Sequence, residues 1–157
     1  MATACDLVYV AEDAQIGYPP VRTMSPPDNQ YHAWLMGLRP AMEAMLTGDS
    51  MSGLEAVRVC FANRAYPAGE LEAAVLAMAS RIAQVDPELA QLNKRLVHRQ
   101  MEAMGLRAGL RAGTDLHALG WHTGASRAYM TKMREGVKEA LTARDKAFGD
   151  YRTGAKP

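Results

Sequence analysis

Few side chains in this sequence are of a type and spacing that could do chemistry. His98, His117 and His122 are the first to weigh as metal ligands. Residues 117 and 122 are five apart, so they do not share a helix face. No Cys or carboxylate completes a ligand set beside them, and no metal is expected. Cys5 and Cys60 sit in no CxxC pair and read as small hydrophobes in a reducing, cytoplasmic setting. Glu12 and Asp13 stand in an expected surface turn, where solvated carboxylates are the ordinary outcome. Lys94, Arg95, Arg99, Arg107 and Arg111 gather positive charge in one helical stretch. That run reads as a solvated face, with a phosphate contact as its other possible use. The remaining candidate is the turn Gly17-Tyr18-Pro19-Pro20 with His32 and Trp34 after it.

The elements that must position these residues follow from periodicity and punctuation. Residues 7–10, Leu-Val-Tyr-Val, form a run of strand formers typical of a strand covered on both faces. Residues 14–17 read as a second extended piece and 62–66 as a third. Tyr18-Pro19-Pro20 cannot lie inside a helix. Asp28, after two prolines, is read as the N-cap of a helix ending at Gly37. A second helix covers 41–46, with Pro40 in its first turn. Ser52 followed by Glu55 has the capping-box pattern of a short third helix. From Gly69 the apolar period becomes helical. Leu71, Val75, Met78 and Ile82 form one stripe, read as core or subunit interface. Asp86-Pro87-Glu88 opens a long helix. Gly105, Gly109, Gly113, Gly120 and Gly124 predict breaks or close helix approach, and a last helix is expected over 126–148. Residues 1–67 therefore read as a mixed β/α region, and 68–157 as a helical one.

Composition narrows the function classes. The chain has 157 residues, 48% hydrophobic and 22% charged, as in ordinary globular proteins. Eighteen Lys and Arg against 17 Asp and Glu leave a net charge of +1. That balance gives no electrostatic reason to expect a nucleic acid or membrane partner.

Three stretches carry a family resemblance: "CDLVYVAEDAQIGYPPVR", "LTGDSMSGLEAVRVCFANRAYP" and "ELEAAVLAMASRIAQVDPELAQLNK". In order and spacing they resemble the enoyl-CoA hydratase/isomerase (crotonase) superfamily. The middle stretch is the most specific, with Leu46-Thr47-Gly48-Asp49, a short helix, then Asn63-Arg64 and Pro67. The resemblance implies an α/β, crotonase-like (ClpP/crotonase) fold, N-terminally truncated, with residues 1–67 a remnant of the β/α core and 68–157 a mainly helical oligomerisation region. Three short strands are near the minimum for a sheet, so dependence on a partner is expected.

The resemblance also implies chemistry. Family members hold an acyl-CoA thioester oxygen with two backbone N–H groups, whose positions lie ahead of residue 1. Their first hydratase carboxylate would fall just ahead of it too. The second carboxylate position is occupied by Pro20, which cannot transfer a proton. The chain is thus expected to retain no catalytic residue and to be inactive alone. Gly17, Tyr18, Pro20, His32 and Trp34 are the implied substrate-pocket residues, and Arg144 and Lys146 the implied contacts to CoA phosphates. No cofactor is implied beyond the coenzyme A thioester as substrate. Cys60 stands where the family has a left-handed glycine. Two other roles fit the residues: a non-catalytic subunit or regulator in a homo- or hetero-oligomer with full-length paralogues, or a non-functional gene fragment.

Overall fold

The computed structural model describes residues 2–28 and 31–149. Its sheet is one parallel pair. Strand β1, Tyr9–Ala11, lies beside β2, Arg64–Tyr66, with Val10 opposite Ala65. Asn63 lengthens the ladder: its Oδ1 accepts the Val8 N–H, and its own N–H bonds the Val8 carbonyl, both at 2.7 Å. The Tyr9 and Tyr66 rings stack across the pair at 6.3 Å.

Parallel strands need a crossover, and here it holds three helices: α1, His32–Met36; α2, Leu38–Thr47; and α3, Gly53–Arg58. Gly48 ends α2 in the left-handed region at φ 69°. Ser52 Oγ caps α3 by accepting the Glu55 N–H at 3.2 Å. Cys60 follows α3 at φ 64° and is the one non-glycine residue with positive φ among those described. It holds the left-handed conformation expected there, at a cost of about 1 kcal/mol relative to glycine. The core lies between α1, α3 and the sheet, where Met36, Met51, Ala56, Phe61 and Ala62 are buried.

The second region is helical, as its period predicts: α4, Leu71–Ile82; α5, Pro87–Ala103; α6, Leu106–Trp121; α7, Gly124–Glu135; and α8, Val137–Lys146. Asp86 Oδ1 caps α5 by accepting the N–H groups of Glu88 and Leu89. Helix α6 runs unbroken through Gly109 and Gly113. At Gly120 it presses on another segment, where a Cβ would sit 2.6 Å from the Ser25 side chain.

Several expectations need correction. The ladder begins at Tyr9 rather than at residue 7, and Leu7 is 44% exposed. Among the described residues β1 pairs with one strand only, so it is not inside a sheet, and its three residues are half-buried. The extended piece at 14–17 reduces to one antiparallel bridge between Ile16 and Met51. Helix α1 starts at His32, so Asp28 does not cap it. The last helix is two, because Gly136 adopts an extended conformation between α7 and α8. Both cysteines are exposed. On α4, Val75 and Ile82 are exposed, and on α5 so are Leu89, Leu92, Leu96 and Val97. These exposed residues are not core of this chain, although Leu71 and Met78 of the α4 stripe are half-buried and α4 packs on both strands.

One buried cluster ties the two regions together. The Pro19–Arg22 3-10 turn delivers Arg22 into the interior, where its side chain is 2% exposed. Its Nε donates to the Thr47 carbonyl at 2.8 Å, NH1 to Asp145 Oδ1 at 3.0 Å, and NH2 to Asp49 Oδ1 at 2.9 Å. The guanidinium also lies 3.8 Å from the Phe148 ring centre, a cation–π contact. Asp145, 1% exposed, is gripped from its other side by Arg144 Nε and NH2, both at 2.7 Å. Burial pushes the Asp145 carboxyl up. The hydrogen bonds and charges of Arg144 and Arg22 outweigh it and hold the group below its ordinary value of 3.8.

Replacing Asp145 with Asn removes the carboxylate shared by two buried guanidinium groups and leaves Arg22 with the half-exposed Asp49 as its carboxylate partner. The expected loss is about 3 kcal/mol or more, measured as a lower urea midpoint. Because the folded value is depressed, the carboxylate's stabilisation is full above 3.8 and is lost as pH falls through the lower folded value. The variant should lack that part of the acid limb.

Candidate functional site

The turn that buries Arg22 also builds the site. Two prolines preset its φ angles. The Pro20 carbonyl accepts three backbone N–H groups, from Thr23 at 3.2 Å, Met24 at 2.8 Å and Ser25 at 3.2 Å. This knot fixes the chain on both sides, with Gly17 and Tyr18 before it and the loop to α1 after it. Between this loop, α1 and α2 lies a cleft of about 260 Å³. Apolar side chains, Ile16, Met51 and Phe61 among them, wall it. Tyr18, Asp28 and His32 are its titratable groups.

His32 is 8% exposed and leans on the Phe61 ring at 6.2 Å. Burial pushes its imidazole below the ordinary value of 6.5, so the ring is neutral at neutral pH. Burial pushes the Tyr18 phenol up, the nearby Asp28 charge adds to that, and a hydrogen bond with Ser25 opposes them. Tyr18 therefore stays protonated. The cleft has apolar walls, a neutral phenol, a neutral imidazole and an exposed carboxylate. It suits a small, largely apolar group carrying a polar atom.

Three of the pocket residues read from the sequence, Gly17, Tyr18 and His32, meet in this cleft. Pro20 and Trp34 do not line it. Trp34 is two residues beyond His32, so it points to another side of the helix. Its Nε1 lies 3.7 Å from where a Cβ on Gly109 of α6 would be. Arg144 bonds Asp145 with Nε and NH2 and is 8% exposed, whereas Lys146 is exposed. In the basic stretch, Lys94 pairs with Asp6 at 2.6 Å, and Arg99 and Arg107 both reach Glu102.

The histidines lie apart. His98 bonds Asp6 at 2.6 Å, and the His117 ring contacts Ser25 and Pro26. Hydrogen bonds from Lys94 and His98 hold Asp6 below its ordinary range. Among the described residues no group of three His, Cys, Asp or Glu could hold a metal. Nor is any helix among them long and apolar enough to cross a membrane. Sequence reasoning missed Asp28 and Thr3 as cleft residues. The signal for Asp28 was the Pro-Pro pair before it, which marks a loop as readily as a helix start.

Residues 1–150 match the family model described as enoyl-CoA hydratase/isomerase. The chain is 31% identical over 121 residues to EchA13 of Mycobacterium tuberculosis, assigned to the enoyl-CoA hydratases; the match covers 76% of this chain and 38% of that protein. Its fold superposes on the crystal structure of an enoyl-CoA hydratase from Mycobacterium smegmatis with a TM-score of 0.92. Identity there is 28%, and the match covers 96% of this chain and 52% of that one. An enoyl-CoA hydratase/isomerase from Xanthobacter autotrophicus Py2 matches with a TM-score of 0.86 at 28% identity, over 94% of this chain and 56% of that one. The chain thus spans about half the length of these relatives, or less.

The state of His32 is open to direct measurement. In an NMR titration its ring protons should shift with a midpoint below 6.5. A midpoint at or above that value would mean the imidazole is not shielded by Phe61.

Proposed function

The chain belongs to the enoyl-CoA hydratase/isomerase family, and on that premise we propose that its cleft receives the acyl portion of an acyl-CoA thioester. One observation carries the reading: Gly17, Tyr18 and His32, implied as pocket residues by the resemblance, line a single apolar-walled cleft. Lys146, with its exposed side chain, is the better of the two basic candidates for the CoA phosphates. The thioester is substrate, and no resident cofactor enters the reading.

The chemistry available to these 157 residues is narrower than binding. At Pro20 the resemblance implies one of the two hydratase carboxylates. Its carbonyl is tied into the turn, and proline has no side-chain proton to give. Crotonyl-CoA should therefore bind to the purified chain, as read by calorimetry. Its hydration, followed by loss of the enoyl thioester absorbance, should be at least about a hundredfold below that of a two-carboxylate member. Hydration at that member's rate would overturn the inactive reading; absence of binding would overturn the acyl-CoA reading.

A second reading is supported by the exposed row Leu89, Leu92, Leu96 and Val97 on α5. Its helical spacing gathers it into one stripe, and a stripe of that kind suits docking onto another copy or a full-length family member. Sizing chromatography of the chain, alone and mixed with such a member, should show association that a Leu92→Asp, Leu96→Asp double variant loses. A monomer under both conditions would count against this role.

A further inference from the structure

Helix α5 stands away from the core: none of its 17 residues is buried. Its own chain holds it from one side, where Lys94 and His98, four residues apart on one face, both reach Asp6 at 2.6 Å. Helix residues turn by about 100° each, which puts Leu89, Leu92 and Leu96 roughly half a turn from that tie. The three leucines are 57%, 58% and 63% exposed. Their spacing of three and then four residues is that of the seam between paired helices. Helices in proteins draw most of their stability from packing an apolar face, and this face is open.

The charges beside the seam identify its occupant. Glu88 and Arg95 lie on one flank of the leucine row, about two turns and 10 Å apart, too far to pair with each other. Both are exposed, and neither has an ion-pair partner among the described residues, whereas Lys94 and Arg99 are answered by Asp6 and Glu102. The other flank carries the uncharged Asn93 and Gln100. A second α5 laid antiparallel, about a two-fold axis near Leu92, brings Leu89 of each copy to Leu96 of the other. The same operation brings Glu88 of each copy to Arg95 of the other, so every contact is made twice. A parallel pair would face the charged flank with the uncharged one and form neither ion pair.

We infer that α5 is a self-association surface, through which two copies of this chain dimerise with their α5 helices antiparallel. The inference rests on the docking reading above and commits it to a second copy as the occupant.

Sedimentation equilibrium of the full chain tests it. The native chain should dimerise. Glu88→Arg or Arg95→Glu alone sets like charges together at both symmetric contacts and should raise the dimer Kd about tenfold, as expected of two reversed exposed ion pairs. Joining both substitutions in one chain, or mixing the two single variants, restores opposite charges and should restore association. Should Glu88→Arg fail to fold, because it puts a cation in the first helical turn, Arg95→Glu decides: its loss should shrink in about 1 M salt. A native dimer indifferent to the charge reversals, or a native monomer that binds a full-length family member, would overturn the second-copy assignment while leaving the docking reading intact. Association with neither would overturn both.

Discussion

A guanidinium taken out of water is the constraint on which the rest of this molecule depends. With Arg22 buried, its charge must be answered from within the protein. The answer comes from three separate places: the Thr47 carbonyl and Asp49 after α2, and Asp145 on α8. Asp145 in turn answers Arg144, so one carboxylate compensates two cations. Tyr18 and Pro20 sit in or beside the turn that carries Arg22. The cleft's shape is therefore set by an ion cluster that does not itself line it.

A second tie acts on the far side of the same loop. The His117 ring on α6 holds Ser25 and Pro26, and Trp121 holds that ring. Two helices distant in sequence thus fix the two ends of the segment between Pro19 and Pro26. Within that frame the cleft shares Met51 and Phe61 with the buried core. At Pro20 the turn uses the ring, which presets φ, and the carbonyl, which accepts three backbone N–H groups. Family membership therefore fixes the scaffold and leaves the reaction to be decided by a few side chains.

Much of this was legible in the residues, for local reasons. Ser52, Asp86 and Gly48 act as caps because each satisfies groups within its own turn. The left-handed residue at Cys60 was legible because a specific motif surrounds it. Gly17, Tyr18 and His32, named through the resemblance, lie in one cleft. What was hidden depends on distant neighbours. Arg22 and Asp145 are 123 residues apart, with nothing local to announce their pairing, and Arg144, implied by the resemblance as a CoA-phosphate contact, bonds the neighbouring Asp145. Strand β1 was displaced because a run of strand formers sets no register; its partner, with Asn63, does. The stripe on α4 read as core or subunit interface because periodicity reports which residues share a face, and says nothing of what covers it.

The separation of Arg22 from Asp145 also orders events in time. During synthesis the arginine leaves the ribosome 123 residues ahead of its counter-charge. Until α8 is made, Asp49 is the carboxylate partner of Arg22 among the described contacts, and it remains 45% exposed even in the finished fold. Closing the turn early would desolvate a cation with half its compensation absent. The turn that carries Arg22 therefore reaches its full compensation only once α8 is in place.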